Sequence, residues 1–414
     1  MSLAVTKNTK STVMPVQSKF SFPHDTSEPG LNFYKDYKRQ KIVRDNSDIS
    51  TYYYKHPAND KFLCCYNSLW NTLAQIHYQF TIPPFNQKTV ISVPYDKIKF
   101  SAEYSKFSLE QHLEYAYSTG HFVIIDKSVE HIHDTQNFMD LYNDLKNFNL
   151  LDRCVVIDNT KDETLFEMYN VPHIYFPGYP LFYITLTKKI PPYVAEPKYA
   201  FLCLNNYNKP HRLATIAMLS KNNMLRKTAW SYRERATTQN QTYNPNQIIP
   251  DWDEKMINFE TPKHLDQGAD NFDQDANMSS LYGSANTSIA TETDYMFDKT
   301  SFATEKCYNA IHYGAQLIAV SCAGTIDIMR EHGIDVYDDI IDHSYDAIKD
   351  PIERFKAIQV AIEDNYSIGG YKQVRTALAP RILRNQMLLT HHDHWYKELE
   401  HCIHVAHKNS RWEC

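Results

Sequence analysis

Glycine is scarce in this sequence, with only 10 in 414 residues. Phosphate loops of the G-x-G-x-x-G or G-x-x-x-x-G-K type need clustered glycines so that backbone N–H groups can approach a phosphate closely, and no such cluster is present. Cysteine pairs with metal or redox spacing are missing too. The eight cysteines, at 64, 65, 154, 203, 307, 322, 402 and 414, include no C-x-x-C. Several sit in apolar runs, such as Cys203 in "FLCL" and Cys322 in "AVSCAG", and read as reduced, buried thiols. No apolar run reaches 18 residues, and "MSLAVTKNTKSTVMPVQSKF" at the start is polar. The expectation is neither a membrane span nor a secretory leader, hence a cytoplasmic chain. Positive charge is not in excess: 43 Lys and Arg face 49 Asp and Glu, a net charge of −6. That argues against a bulk electrostatic grip on nucleic acid and leaves only a local basic groove open.

Tyrosine is plentiful, with 30 residues, and its amphipathic ring suits surfaces that meet sugars, bases or other proteins. The length allows two to three domains at roughly 150 residues each. Residues 1–58 are polar and read as a loosely docked arm. Residues 59–195 read as a first α/β domain. "HFVIID" (121–126) and "DRCVVIDNT" (152–160) are buried-type strands ending in Asp126 and Asp158. Between them Phe138, Leu141, Leu145 and Phe148 recur at helical spacing. "ETLFEMYN" is a short helix.

A second α/β domain is expected over 196–380, with a polar excursion at 234–283. "KYAFLCLNN" (198–206) and "TAWSYR" (228–233) are strands, with "KPHRLATIAMLSKNNML" (209–225) the helix between them. "ANTSIATETDYMF" (285–297) and "QLIAVS" (316–321) are further strands. Cys307, Ala310, Ile311 and Gly314 mark one face of the helix before "QLIAVS". Asp350, Pro351 and Glu353 make a good helix start. The tail 381–414 reads as largely helical. Strands alternating with helices predict parallel sheets, which bind ligands beyond their strand C-termini.

Two segments carry candidate chemistry. In "LNNYNKPHRL" (204–213) a strand ends at Asn205, and Arg212 lies in the first turns of the next helix. Free N–H groups and a guanidinium both match phosphate oxygens. In "SFATEKCYNAIHYG" a lysine, Lys306, stands where a helix begins, at the positive end of the helix dipole. An anion between them would offset that charge, and Glu305 beside it suits paired ribose hydroxyls. An ordinary charged pair at a helix start is the plain alternative.

"FATEKCYNAIHYGAQLIAVSCAG" resembles the donor segment of α1,3-fucosyltransferase-like glycosyltransferases and of a related viral and bacterial group. "KYAFLCLNNYNKPHRLATIAML" is similar to their other segment, and "DDIIDHSYDAIKDPIERFKAI" (338–358) to the region after the donor motif. The resemblance covers about 195–365. It implies two Rossmann-like domains facing across a cleft, the GT-B arrangement. The donor would bind the C-terminal domain, and the final helix would pack back on the first. It implies Lys306 and Arg212 on the donor diphosphate, Glu305 on the ribose, Asn205 shaping the phosphate turn and Thr304 capping the donor helix. Glu292, Ser231 and Tyr232 would line the same cleft. Cys307 and Tyr308 depart from the usual residues after Glu-Lys, which leaves the sugar and base open.

The expected activity is metal-independent transfer of a sugar from a nucleoside-diphosphate sugar, with no permanently bound cofactor. The acceptor is a glycan or other hydroxylated molecule, or alternatively a hydroxymethylated base in viral DNA, with the chain in the host cytoplasm if viral. A non-catalytic nucleotide- or sugar-binding module is the reading from another class. An inverting transfer needs a base, and Glu130 or Asp126, from "IIDKSVEHIH", is the expected one. His131, His133 and Asp158 are further candidates. The triplets "DWD" (251–253) and "DQD" (273–275) match a metal-binding Asp-x-Asp pattern but follow no hydrophobic strand. His394, Glu398 and His401 share a helix face without an identifiable partner element.

Overall fold

The computed structural model describes residues 54–55, 62–64, 90–94, 113, 117, 122–128, 135–182, 190–205, 209–232, 248–249, 280–296, 301–391, 394–395, 397–398 and 401. It is an α/β structure with two largely parallel sheets. The first has the order β1 (Tyr54–Lys55), β2 (Phe62–Cys64), β3 (Val90–Pro94), β4 (Phe122–Lys127), β5 (Cys154–Asp158), β6 (His173–Tyr175). Only β1 and β2 are antiparallel. The helices are α1 (Thr135–Asn147), α2 (Thr164–Met168) and α3 (Tyr179–Phe182).

Side chains on successive strand residues point to opposite faces, and β4 and β5 follow this rule closely. Val123, Ile125, Cys154 and Val156 form one cluster with Phe138, Leu141 and Leu145 of α1. Ile124, Val155 and Ile157 belong to a second, larger cluster that runs into the second sheet. Both faces are therefore buried, which is why these strands read as unbroken apolar runs.

The second sheet has the order β10 (Gln316–Val320), β9 (Ala285–Thr291), β7 (Tyr199–Asn205), β8 (Thr228–Tyr232), all parallel. Its helices are α4 (Pro210–Lys221), α5 (Glu305–His312), α6 (Thr325–Glu331), α7 (Pro351–Ile368) and α8 (Tyr371–Thr390). Pro210 and Pro351 both stand in first turns, where a missing N–H costs no helical bond. The Asp350 carboxylate accepts from the N–H groups of Ile352 and Glu353, at 3.0 and 2.9 Å.

β10 is an edge strand, and the chain covers that edge with side chains. His343 Nε2 lies 3.0 Å from the Leu317 carbonyl, and the Ala319 N–H donates to the Tyr345 hydroxyl at 3.1 Å. These groups occupy the ladder positions that another strand would otherwise seek.

Several elements differ from the sequence reading. Tyr54–Lys55 pair with Leu63–Cys64, so the end of the stretch read as an arm belongs to the first sheet. The described helix after β4 is Thr135–Asn147, so Phe148 lies just past its end. Gly314 lies beyond α5 rather than on its face. Its φ of +77° ends the helix, with the Ala315 N–H donating to the Ala310 carbonyl at 2.8 Å. β9 stops at Thr291, six residues short of the expected strand end at 297. α8 runs through residue 380 with Pro380 inside it. Its described contacts include Tyr193, whose hydroxyl donates to the Arg375 carbonyl at 2.7 Å, and the second sheet's unit. Arg375 Nη1 donates to the Ala285 carbonyl at 2.6 Å, and Gln386 Nε2 to the His312 carbonyl at 2.8 Å. No helix among the described residues is long and apolar enough to cross a membrane.

Candidate functional site

The ends of three adjacent strands, β8, β7 and β9, are tied together through Asn205. Its N–H donates to Ser231 Oγ at 3.2 Å, and its Nδ2 to the Ser231 carbonyl at 3.3 Å. Its Oδ1 accepts from Thr291 Oγ1 at 2.7 Å. Asn205 and Ser231 are fully buried and Thr291 nearly so. Asn205 and Ser231 thus brace the sheet edge from within. Tyr232 is buried in the main apolar cluster.

Glu292 follows β9 directly and is fully buried. Its carboxylate accepts from the Thr304 N–H at 2.9 Å and, through the other oxygen, from the Thr304 hydroxyl. That second oxygen is 3.8 Å from Lys306 Nζ. Its carbonyl accepts from Arg212 Nη2 at 3.1 Å and from His211 Nε2 at 2.8 Å. Lys209 Nζ donates to the Thr293 carbonyl and stands 3.9 Å from Asp294. The basic run at the start of α4 therefore clasps the loop 292–294. Arg212 is only 3% exposed, so it is not a surface arginine. Burial pulls its pKa down, while Glu292, Glu305 and Asp294 pull it up without reversing the shift.

Thr304 is the N-cap of α5, its hydroxyl accepting from the Lys306 N–H. Lys306 Nζ reaches the same hydroxyl at 3.2 Å and Glu305 Oε1 at 2.9 Å. Burial would lower the Lys306 pKa, but Glu305 and Glu292 outweigh it and leave it raised. Burial likewise pushes Glu305 up, and Lys306 more than reverses this. The Glu305 side chain also bonds Tyr179 of α3, whose ring stacks on Tyr308 at 6.4 Å. The odd lysine at a helix start is thus offset by two carboxylates of its own chain. The Lys306 and Glu305 side chains remain 23% and 34% exposed, which makes them the accessible face of the cluster.

The structure thus brings together Arg212, Glu292, Thr304, Glu305 and Lys306 at one sheet edge, with Asn205 and Ser231 beneath. Residues missed from sequence are Lys209, His211, Thr291, Asp294 and Tyr179. The K-x-H-R spacing beside Arg212 and the T-E-T-D run around Glu292 carried a trace of the first four.

On the first sheet, Asp126 falls in β4 opposite Pro94 and Ile157, and Asp158 ends β5 fully buried. The next residue, Asn159, donates through Nδ2 to the Ala303 carbonyl at 3.1 Å, beside the cap of α5. Glu130, His131 and His133 lie outside the described residues, as do "DWD" and "DQD". His394 and Glu398 stand 3.7 Å apart. Among the described residues no group of three His, Cys, Asp or Glu could hold a metal ion. The thiols of Cys203 and Cys154 are buried and pushed up to about 12 by burial, as suits structural rather than reactive cysteines.

No protein-family model matches the chain, and no curated protein matches it. The fold and the cluster define an α/β protein of parallel sheets with a charged site beyond the strand ends of the second.

Proposed function

We propose that the chain is a glycosyltransferase that moves a sugar from a nucleoside-diphosphate sugar to an acceptor hydroxyl. The observation that carries this reading is the partly exposed Lys306–Glu305 pair at the first turn of α5, with the Arg212 guanidinium buried nearby. A diphosphate takes the place of the Glu305 carboxylate on Lys306. Glu305, released, accepts the two ribose hydroxyls. The buried charge of Arg212 and the N–H groups of α5 favour the negative charge that develops on the leaving diphosphate. Asn205, Thr304, Glu292, Ser231 and Tyr232 act by holding this geometry. The resemblance of the Thr304–Lys306 segment to fucosyltransferase-like donor motifs points the same way. The acceptor is a glycan or another hydroxylated molecule, and Asp126 or Glu130 is its base. An acidic net charge disfavours duplex DNA as that acceptor.

The test is a panel of UDP-, GDP- and CMP-sugars, scored by thermal protection and by hydrolysis and transfer. Protection with turnover supports the enzyme. Protection without turnover over a broad acceptor panel supports a binding module instead. No protection by any nucleotide sugar overturns the donor site itself.

A further inference from the structure

The first sheet reaches the Glu292–Lys306 cluster through the turn after β6. There the Phe176 N–H donates to the Asp158 carbonyl at 2.9 Å, and the Gly178 N–H to the Ser128 carbonyl at 2.7 Å. Residues 176–178 are thereby stitched to the end of β5 and to the residue just past β4. α3 begins from that fixed point, at Tyr179, and packs against α5. Tyr179 is buried, and its hydroxyl bonds the Glu305 side chain. Its ring stacks on Tyr308 at 6.4 Å with an interplanar angle of 28°. Tyr308 is fully buried, and its own hydroxyl lies 3.3 Å from His332 Nδ1. It stands three residues after Glu305 in α5, on the same helix face. Asn159 ties the same two parts a second time, through the Ala303 carbonyl at 3.1 Å. The Tyr179 hydroxyl is therefore fixed relative to the first turn of α5 by a segment that belongs to the other sheet.

Such a fixed partner matters for what Glu305 is asked to do. Lys306 Nζ lies 2.9 Å from Glu305 Oε1. When Lys306 turns to a diphosphate, Glu305 loses that contact just as the ribose arrives. A half-exposed glutamate then regains its rotamers, and ordering it again costs entropy. Two neighbouring hydroxyls are accepted together only by a carboxylate in one orientation, because hydrogen bonds weaken steeply away from their preferred length and angle. The Tyr179 hydroxyl supplies that orientation without blocking the ribose. A carboxylate offers about four lone-pair sites, enough for one phenol and two ribose hydroxyls at once.

We propose that Tyr179 is a positioning residue for the ribose: across the junction of the two sheets it holds the Glu305 carboxylate so that both ribose hydroxyls are accepted, and the site thereby selects ribonucleotides over nucleotides that lack those hydroxyls. This rests on the nucleoside-diphosphate reading of the site and adds to it a residue from the first sheet's side.

The test is isothermal titration of the full chain with UDP and GDP, each beside its 2′,3′-dideoxy counterpart. The unaltered chain is expected to bind the ribonucleotide at least about tenfold more tightly than the dideoxy form, as fits lost hydrogen bonds to a charged group. Tyr179→Phe keeps the ring and its stack on Tyr308, so the fold is retained. It is expected to shrink the ratio to about threefold or less by weakening the ribonucleotide alone, the cost of lost preorganisation. Tyr345→Phe removes another buried hydroxyl, the one that accepts from the Ala319 N–H, and serves as the purely structural control. It is expected to lower Tm and leave the ratio unchanged. No binding of either ribonucleotide to the unaltered chain overturns the nucleotide reading and this proposal with it. A ribonucleotide preference that Tyr179→Phe leaves intact overturns the role of Tyr179 alone. So does an equal loss for ribonucleotide and dideoxy forms, or the same shrinkage in Tyr345→Phe. Equal binding of both forms by the unaltered chain overturns the ribose contact of Glu305 and the role of Tyr179 together.

Discussion

Glu292 Oε2 lies 3.8 Å from Lys306 Nζ while Oε1 of the same carboxylate holds the Thr304 N–H at 2.9 Å. One buried carboxylate thereby fixes both the cap of α5 and the cation beside it. Glu292→Gln keeps the shape and removes the charge. The variant is expected to lose about 2–3 kcal/mol of stability. That is less than a fully buried pair would lose, because Lys306 stays partly exposed and keeps Glu305. Urea unfolding measures it. An unchanged midpoint would show that the carboxylate is not what anchors the cap.

Lys306 and Arg212 make different contributions under the donor reading. Lys306→Met removes the accessible cation and is expected to weaken nucleoside-diphosphate binding at least about tenfold, or ~1.4 kcal/mol. Arg212→Met removes a buried charge that also clasps the Glu292 carbonyl, so it is expected to lower both affinity and Tm. Titration of UDP and GDP against each variant separates the two. Undiminished affinity in Lys306→Met contradicts the donor site.

Buried neutral histidines set the response to acid. Burial lowers the pKa of His173 and His312 to about 4 and of His332 to about 3. His211 falls well below its ordinary value through burial, reinforced by Arg212. An unfolded histidine takes a proton near pH 6.5, whereas these do not until far lower. The unfolded state therefore binds more protons, and stability is full above about pH 6.5 and falls as the pH drops towards 4. Each group adds up to about 1.4 kcal/mol per pH unit to that slope. Urea midpoints at pH 7, 6 and 5 check the trend. A flat profile would mean that these rings take up protons in the fold as readily as in the unfolded chain.

The strands β5, β7 and β10 were legible in the sequence because both faces are buried, which produces unbroken apolar runs. The Thr304–Lys306 turn was legible because a lysine at a helix start is electrostatically odd. β9 was also read as a strand, but its complete burial was not legible. "ANTSIAT" is polar, yet it is buried throughout, since Thr287 bonds Asn365 at 2.9 Å and Asn365 bonds Gln316 at 3.3 Å across the packed elements. Such a network depends on residues nearly 80 positions apart, so the local pattern shows a strand and not its burial. The role of Arg212 was half legible. The sequence placed it at the right helix end, but only the fold shows that its hydrogen bond goes to the Glu292 backbone. The cover over the β10 edge by His343 and Tyr345 has no periodic signature either, because side chains replace a strand there.

Gly178 couples the first sheet to the Glu292–Lys306 cluster. Its N–H donates to the Ser128 carbonyl at 2.7 Å, and the next residue is Tyr179, which bonds Glu305. A Cβ at position 178 would stand 2.4 Å from Ser128 Oγ and 3.0 Å from Ser128 Cβ and its backbone carbon. Contacts that short force the chain to move, and the backbone carbon cannot swing aside as a long side chain would. Gly178→Ala is therefore expected to cost about 1–3 kcal/mol, the usual range for overpacking. Ser128→Ala in the same chain removes the closest clash and recovers part of that loss, a coupling that a double-mutant cycle in urea measures. Because Tyr179 moves with its neighbour, the single variant also loosens the Tyr179–Glu305 bond. Nucleoside-diphosphate affinity then falls alongside stability, whereas Asp350→Ala, a remote cap loss of about 1 kcal/mol, lowers stability and leaves affinity unchanged. Equal effects of the two variants on affinity would rule out a specific link through Tyr179.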